Sequence, residues 1–299
     1  MLNRFTSVIA IFFITPSIFA TPSSINNASI NMPLKALEET FDGKMGIYAV
    51  NTGNHEIITY RSNERFPVQS TMKLIGVAAL LKESDRNPGL LKQTIHYKQN
   101  DLMYWHPITG QHLKTGMSLK ALSEAAMTYS DNTAMNVITK KLGGPASITE
   151  FAHSIGNHTF NVEHYEGELN SDPTNPKDSS TPQDMAISLQ KLLLDNVLSK
   201  TQRDALTLWM KNNTTSYKRI RLGTPIGWTV MDKTGSGDYG IANDIAIMES
   251  PLCKPIILAI YTVQNKKDAK SQDDIVAKAT SIVMDQFAKN DPCFKAIYL

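Results

Sequence analysis

The sequence has few cysteines, almost no excess of charge of either sign and only one long apolar run. Two cysteines, Cys253 and Cys293, are too few for a zinc cluster of thiolates or for a disulfide-dense scaffold. A formal net charge of +2, from 30 Lys and Arg against 28 Asp and Glu, lacks the basic excess that nucleic-acid binding favours. The 41% hydrophobic fraction excludes wholesale disorder, so 299 residues predict one large or two interlocked globular domains.

The one long apolar run lies at the N-terminus and is typical of a secretory signal peptide. Arg4 gives a positive start, an apolar stretch follows from 8 to 19, and Ala20 is a small residue suited to cleavage. The stretch is about a dozen residues, shorter than the roughly 20 that a membrane-spanning helix needs. No cysteine lies near position 20 to carry a lipid. We therefore expect residues 1–20 to be removed and the mature protein to be periplasmic or secreted, with no membrane anchor.

The spacing of apolar residues predicts strands towards both ends of the chain and helices in the middle. From about residue 70 to 207 the pattern is almost entirely helical. One sheet built from both chain ends, with a helical insertion, accounts for this order most simply. The predicted strands are 45–50, 56–61, 228–232, 241–248 and 255–263.

Local signals predict where several helices begin and end. A first helix is expected to end at Gly43. Thr181 followed by Pro182 is typical of an N-cap with proline at the first helical position. Ser271 and Asp274 have the spacing of a capping box before a last helix.

Ser70 and Lys73 are spaced so that, on a helix, both side chains share one face. The apolar run after Lys73 places Ser70 near a helix N-terminus, where free N–H groups and the helix dipole favour a negative charge. A serine hydroxyl is a weak nucleophile unless a base is within reach, and a desolvated lysine can be that base. The alternative is two ordinary residues on a solvated face, and the same spacing recurs at Ser188 and Lys191.

A second polar group, Ser130-Asp131-Asn132, lies between two helical segments. Ser130 can relay a proton, and the Asn132 carboxamide offers both a donor and an acceptor to an amide substrate. The alternative is an ordinary turn between helices, because serine, aspartate and asparagine are the usual capping residues.

A third group, Lys233-Thr234-Gly235-Ser236-Gly237, lies at the end of an alternating strand. Lysine at that point can hold an anionic substrate group, and the glycines let a ligand approach the strand backbone closely. The alternative is a turn after a strand. Lys-Thr-Gly also occurs at 114–116, but in a loop between helices.

The three groups follow one another in a fixed order, Ser-x-x-Lys at 70, Ser-Asp-Asn at 130 and Lys-Thr-Gly at 233. This trio is the signature of class A β-lactamases and penicillin-binding proteins. The chain resembles a class A serine β-lactamase over essentially its whole mature length. The resemblance implies an α/β (α+β) fold, with an antiparallel five-stranded sheet flanked by helices and an all-helical subdomain. The implied division is residues 21–66 and 211–299 in the sheet subdomain and 67–210 in the helical one.

Glu166-Gly-Glu-Leu-Asn170 resembles the Glu-x-x-Leu-Asn motif of the family's omega loop, expected here at about 163–179. In the family the glutamate activates the hydrolytic water and the asparagine positions it. A carboxylate within reach of a water can serve as the base that ester hydrolysis needs. Spacing alone does not choose Glu166 over Glu163 or Glu168, and the motif match selects Glu166.

The resemblance also implies a role for each remaining site residue. Ser70 attacks the lactam carbonyl, and its proton goes to Lys73 or, through water, to Glu166. The backbone N–H groups of Ser70 and Ser236 form an oxyanion hole. The implied catalytic residues are Ser70, Lys73, Ser130 and Glu166, and the implied substrate-binding residues are Asn132, Asn170, Lys233, Thr234, Ser236, Trp105 and Arg219.

Within that set, Trp105 is expected at the mouth of the site. Arg219 resembles an arginine with which some members bind the substrate carboxylate, and a guanidinium suits that role because it binds a carboxylate with two parallel bonds. Arg221 is a near-equal competitor. No metal or organic cofactor is implied. The partner is a small β-lactam substrate, and we expect a monomer.

The sequence departs from the family pattern near the catalytic groups. The omega loop usually has an arginine two residues before its glutamate, paired with an aspartate. Here His164 stands at the first position, with Asp178 as the expected partner. Such a contact is stronger when histidine is protonated, so the loop is expected to loosen above about pH 6.5. Residue 69 is Gln69, so the cysteine that marks one carbapenem-hydrolysing subgroup is missing.

Cys253 lies in the turn between the last two predicted strands, and Cys293 lies just beyond the last predicted helix. A helix that returns antiparallel over the last strand ends near that strand's beginning, so the two thiols can meet. A bond closing a loop of about 41 residues would add ~4 kcal/mol in the chain-entropy model.

Two competing functions share the first three motifs. A penicillin-sensitive D-Ala-D-Ala peptidase lacks the omega-loop glutamate. A β-lactam sensor or binding module is acylated and stays acylated, and it needs a membrane link to a signalling domain, which the sequence does not show.

Overall fold

Strands from both chain ends form one five-stranded antiparallel sheet. The protein is described here by a computed structural model covering residues 28–298, so the expected signal peptide at 1–20 lies outside the described residues. The strands are β1 (Gly43–Asn51), β2 (Ile57–Tyr60), β3 (Phe66–Pro67), β4 (Thr94–Ile95), β5 (Met117–Ser118), β6 (Ser179–Ser180), β7 (Thr229–Gly237), β8 (Ile241–Glu249) and β9 (Ile256–Gln264). In the sheet they lie in the order β2, β1, β9, β8, β7, which confirms all five predicted strands.

Ten helices lie within the described residues, and none is long and apolar enough to cross a membrane. They are α1 (Ala28–Glu38), α2 (Met72–Ser84), α3 (Leu119–Thr128), α4 (Asn132–Lys141), α5 (Pro145–Ser154), α6 (Pro182–Leu193), α7 (Lys200–Lys211), α8 (Ile220–Gly223), α9 (Asp273–Asn290) and α10 (Pro292–Tyr298). Thr181 caps α6 as predicted, because its hydroxyl accepts the N–H of Asp184 at 3.2 Å.

Two predicted helix ends are wrong. The first helix ends at Glu38, and Gly43 instead begins β1, where it pairs with Gln264. The capping box before α9 does not form, because the Ser271 hydroxyl donates to the Asp273 carboxylate at 2.9 Å.

Strand β9 is buried on both of its faces. Ile257, Ala259 and Tyr261 belong to the core shared with the central helices, whereas the alternate residues Leu258 and Ile260 pack with α1 and α9. A strand covered on both sides favours apolar residues on both faces, which explains the apolar run at 256–261. The sheet therefore separates two helical layers.

The helical insertion contains short strand pairs that the sequence did not predict. β4 pairs with β5, and β3 pairs with β6 through Phe66–Ser180 and Pro67–Ser179. The second pair joins the chain just before Ser70 to the chain just after the omega loop. It therefore places the loop beside the nucleophile.

Cys253 and Cys293 form a disulfide, as predicted, with their Cα atoms 5.8 Å apart. Cys293 lies inside the additional short helix α10 rather than beyond the last helix. The bond therefore ties α10 to the turn between β8 and β9.

Candidate active site

Ser70 lies in a tight turn, Gln69–Thr71, that leads directly into α2. Helix α2 is almost wholly buried, which fixes the direction of this turn. Strand β7 passes close beside it, and a Cβ added at Gly235 would lie 2.9 Å from the Val68 carbonyl oxygen and 3.2 Å from the Ser70 nitrogen. Glycine is therefore required at 235 for the strand backbone to approach the serine.

The Lys73 amine is fully buried and lies at the centre of the site. It donates to Ser70 Oγ at 2.7 Å and to Asn132 Oδ1 at 2.6 Å. It also lies 3.2 Å from Ser130 Oγ and 2.9 Å from Glu166 Oε1. Burial lowers the pKa of Lys73, and the negative charge of Glu166 opposes that shift. The amine is thus held on the nucleophile in an environment that favours its basic form.

Lys233, on strand β7, reaches the hydroxyl of Ser130. Its amine donates to Ser130 Oγ at 3.1 Å and to the Thr234 carbonyl at 2.9 Å. Burial and then repulsion from Lys73 lower the pKa of Lys233 to about 7. The structure extends β7 through the whole Lys-Thr-Gly group, because Thr234 pairs with Asp244 and Gly235 with Asn243 on β8. The group was predicted at the end of this strand, and the strand continues past its predicted last residue, 232, to Gly237.

Asp131, a residue to which the sequence assigned no role of its own, fixes the position of Ser130 and Asn132. Its carboxylate caps α4 through the Ala134 N–H at 2.9 Å. It also accepts the backbone N–H groups of Ile108 and Thr109. Ser130 has a φ of 57°, a left-handed conformation that the surrounding bonds must hold in place.

Glu166 is buried, and its carboxylate reaches the nucleophile. Oε1 accepts from Ser70 Oγ at 3.3 Å. The backbone of Glu166 is held by the side chain of Asn136, which accepts its N–H at 2.8 Å and donates to its carbonyl at 3.1 Å. Asn136 lies one turn after Asn132 on α4, so helical spacing from Asn132 was the signal that could have identified it.

Asn170 lies in the omega loop, and its carboxamide bonds the loop's own backbone. Nδ2 donates to the carbonyls of Asp172, Asn175 and Lys177 at 3.0 to 3.2 Å, and Oδ1 accepts the Asp172 N–H. The structure therefore brings Asn170 into the core of the loop rather than onto the Glu166 carboxylate.

The predicted contact between His164 and Asp178 is present, with Nδ1 and Oδ2 2.7 Å apart. Asp178 is fully buried, and its carboxylate also accepts the backbone N–H groups of Glu163, His164 and Asn170. The Asp178 carboxylate thus holds together the start of the omega loop, at 163–164, and its middle, at 170.

An open cleft of about 310 Å³ lies over these groups. Trp105 is half exposed at its edge, and its indole N–H donates to the Tyr129 carbonyl at 3.0 Å. The cleft is lined by Ser70, Tyr104, Trp105, Ser130, Asn132, Thr215, Thr234, Gly235 and Ser236. Its size suits a small organic molecule.

Arg219 is buried behind β7 and reaches the cleft through Ser236. Its guanidinium donates to Ser236 Oγ at 2.6 Å and to the carbonyls of Gly235 and Asn243. Arg221 instead pairs with Asp232, at 2.6 Å. The structure thus separates the two competing arginines and leaves Arg219 as the one beside the cleft.

The sequence also matches known proteins. The Beta-lactamase enzyme family model matches residues 30–287. A β-lactamase of Proteus vulgaris is 44% identical over 96% of this chain and 96% of its own. Beta-lactamase CTX-M-97 of Escherichia coli is 41% identical over 94% of this chain and 97% of its own.

Among solved structures, a β-lactamase from Desulfarculus baarsii DSM 2075 superposes with a TM-score of 0.86 at 39% identity. The match covers 88% of this chain and 99% of that one. These matches cover almost all of the described residues, and the three motifs meet in one cleft. The chain belongs to the β-lactamase enzyme family, as a serine β-lactamase of class A.

Proposed function

We propose that this cleft opens β-lactam rings in two steps, with Ser70 as the nucleophile and Glu166 as the base of the second step. Hydrolysis of β-lactams is the activity of the family to which the chain belongs, and it confers resistance to these antibiotics. The observation that carries the assignment is the meeting of Lys73 Nζ and Glu166 Oε1 on Ser70 Oγ, at 2.7 Å and 3.3 Å.

In the first step Ser70 Oγ forms a bond to the lactam carbonyl carbon, and its proton goes to Lys73, or to Glu166 through a water. The carbonyl oxygen becomes an oxyanion that accepts the backbone N–H groups of Ser70 and Ser236. The carbon–nitrogen bond then breaks, the ring nitrogen takes a proton from Ser130 Oγ, and Ser130 regains one from Lys73 Nζ, which lies 3.2 Å away. Hydrogen bonds from both buried lysines to that hydroxyl support this relay.

In the second step a water attacks the ester carbon, and Glu166 takes its proton. The carbon–oxygen bond to Ser70 breaks, the serine takes back the proton that Glu166 holds, and the opened product leaves. Asn136 supports this step by fixing the Glu166 backbone on both sides. Asn170 contributes by holding the shape of the loop that carries Glu166.

The substrate is held at both ends of the cleft. Lys233 and Thr234 bind its carboxylate, and Arg219 helps by orienting the Ser236 hydroxyl. Asn132 contacts the amide of the acyl side chain, and Trp105 packs on the substrate at the mouth. These roles suit a β-lactam, which has a carboxylate at one end and an amide at the other.

The protein acts as a monomer outside the cytoplasm, after removal of residues 1–20. The charge, length and small-residue pattern of those 20 residues support export. The proposed division into a sheet subdomain, 21–66 and 211–299, and a helical subdomain, 67–210, is supported by the cleft lining, since Ser70 and Ser130 come from the helical part and Ser236 from the sheet part.

Intact-protein mass spectrometry after addition of benzylpenicillin tests the proposal. We expect rapid turnover with no lasting adduct in the wild type, and neither turnover nor adduct in Ser70→Ala. A lasting adduct in the wild type would instead identify a penicillin-sensitive peptidase or a sensor. Turnover in Ser70→Ala would rule out Ser70 as the nucleophile.

A further inference from the structure

Gln69, the residue just before the nucleophile, has an unusual backbone and a buried side chain. Its φ is 47°, in the left-handed region that non-glycine residues rarely adopt, and only 7% of its surface is exposed. A long amide in a strained and buried position persists only where its surroundings hold it. Hydrogen bonds of its carboxamide hold Gln69 in this position.

The Gln69 carboxamide donates across to the omega loop. Nε2 lies 2.8 Å from the Asn170 carbonyl oxygen and 3.0 Å from Ser171 Oγ. Asn170 is the residue whose own carboxamide holds the interior of that loop, and its N–H donates to Asp178. The Gln69 bonds therefore join the nucleophile turn to the core of the omega loop.

The same carboxamide also fills the space beside the end of β7. A Cβ added at Gly237 would lie 2.7 Å from Gln69 Cδ and 2.8 Å from both Gln69 Oε1 and Ser171 Oγ. No side chain fits at 237 while Gln69 keeps this position. The carboxamide thus lies where the nucleophile turn, the omega loop and β7 meet.

We propose that Gln69 is a positioning residue for hydrolysis of the acyl-enzyme. It ties the loop that carries Glu166 to the turn that carries Ser70, so the base and the ester remain aligned. This inference rests on the proposed function. Within the described residues, the hydrogen bonds of the Gln69 carboxamide go to Asn170 and Ser171 and not to Lys73 or Ser130, so formation of the acyl-enzyme depends on it less.

The test compares Gln69→Ala and Gln69→Glu with the wild type, using benzylpenicillin. Both variants lose the amide donor, and the glutamate places a carboxylate against the Asn170 carbonyl. We expect hydrolysis of the acyl-enzyme to slow by about tenfold or more, since small misplacements of reacting groups have effects of this size. The fraction of enzyme present as the acyl adduct at steady state, measured by rapid-quench mass spectrometry, then rises. Hydrogen exchange of residues 163–179 becomes faster.

Gln93→Ala is the matched control. Gln93 also uses its carboxamide in one bond, to Lys141 Nζ at 3.1 Å on the exposed surface of the helical part. We expect this variant to keep the wild-type acyl fraction and the wild-type loop exchange. A similar rise in its acyl fraction would contradict the proposal, because the effect would not be specific to the link at Gln69.

A second variant keeps the proposal testable if Gln69→Ala folds poorly. Gly237→Ala pushes the carboxamide away without removing it, so it is expected to raise the acyl fraction too. If the two changes act through the same link, Gly237→Ala has a smaller effect in the background of whichever Gln69 variant folds, Gln69→Ala or Gln69→Glu. Independent, multiplicative effects would contradict a shared link.

The mass-spectrometry results distinguish failure of the Gln69 role from failure of the proposed function. A lasting adduct in the wild type contradicts the proposed function itself. Turnover in the wild type with an unchanged acyl fraction in both Gln69 variants contradicts only the role of Gln69. A fall in the rate of acylation without accumulation of the adduct would also contradict it.

Discussion

Lys73 Nζ and Glu166 Oε1 lie 2.9 Å apart, and both side chains are buried. Each charge is therefore the nearest opposite charge to the other at a buried position. Removing one partner of a buried ion pair is costly unless the other loses its charge. Lys73 can release its proton. Glu166 can therefore be replaced by a neutral residue without leaving an unpaired buried charge on Lys73.

Replacing Glu166 by alanine is expected to stop the second step and spare much of the first. Lys73 keeps its bonds to Ser70 and Ser130, and its pKa is lowered further when the opposing charge is gone. Benzylpenicillin then leaves a stable adduct, and the rate of hydrolysis falls by about a thousandfold. Mass spectrometry over minutes detects the trapped acyl-enzyme.

Glu168→Ala is the control for that experiment, because Glu168 is an exposed acid of the same loop. Normal turnover is expected in this variant. Turnover in Glu166→Ala, or trapping in Glu168→Ala, would assign the base to another residue.

Substrate binding is expected to weaken as pH rises, because Lys233 loses its charge. The pKa of Lys233 is lowered to about 7 by burial and by Lys73. Its ammonium is therefore mostly formed at pH 6 and largely lost at pH 9. For a penicillin with a free carboxylate, we expect kcat/KM to fall through this range, since this ratio reports groups of the free enzyme.

A penicillin methyl ester is the control, because it has no carboxylate for Lys233 to bind. Its kcat/KM should show a smaller fall over the same range. Equal falls for acid and ester would assign the pH dependence to another group, such as Lys73.

The lowered pKa of Lys233 also affects stability. Between about pH 7 and the ordinary lysine range, the unfolded chain binds a proton that the folded protein lacks. The free energy of unfolding therefore rises with pH across this window, and this contribution is lost as pH falls to about 7. Urea unfolding at pH 6.5 and 9.5 measures the rise. It should be smaller in Lys233→Met, and an unchanged rise would contradict the assignment.

The omega loop is expected to be tighter at low pH. A positively charged imidazole makes a stronger hydrogen bond to the Asp178 carboxylate than a neutral one does, and the His164 side chain makes that bond. Lys177 and Glu163, which lie beside this contact, form their own exposed ion pair at 2.8 Å. Hydrogen exchange of residues 163–179, corrected for its intrinsic pH dependence, should be faster at pH 8.

His164→Arg keeps a positive charge at both pH values, so its loop exchange should be independent of pH over this range. His164→Ala should give fast exchange at both. A wild type whose loop exchange is the same at pH 5.5 and 8 would show that the charge of His164 does not matter.

Removing the disulfide is expected to lower stability without changing catalysis. The bond joins residues 40 positions apart, and closing such a loop contributes about 4 kcal/mol in the chain-entropy model. For a chain of this size, Tm should fall by roughly 10 °C in Cys253→Ser/Cys293→Ser. Differential scanning calorimetry measures the change.

The activity should not change in this variant, because the length of β8 separates the disulfide from the cleft. Ile241 begins that strand opposite Gly237, and Glu249 ends it just before the disulfide turn, roughly 25 Å away. At 25 °C the double variant should keep the wild-type kcat/KM. A large loss there, with the fold intact, would show that the turn affects the site.

The sequence predicted well what depends on local pattern. The unbroken apolar run of β9 and the alternation in β7 placed the strands, and the order of the three motifs placed Ser70, Lys73, Ser130 and Lys233. These features depend on consecutive residues or on fixed spacings, so one sequence is sufficient to identify them.

What the sequence missed depends on contacts through space. Arg219 and Arg221 are two residues apart and chemically alike, and only the fold shows that one reaches Ser236 and the other Asp232. Gln69 was noted only as the residue that replaces a cysteine. Its bond to Asn170, 101 positions later in the chain, has no local signal.

The pairing of β1 with β9 determines when the sheet can form during synthesis of the chain. Gly43 pairs with Gln264, 221 positions later, so the middle of the sheet forms only after nearly the whole chain has been synthesised. Contacts between residues so distant in sequence slow folding, and they leave apolar strands exposed for longer. Until β9 is available, β1 has β2 as a neighbour but lacks its partner on the other side, so the sheet cannot be completed.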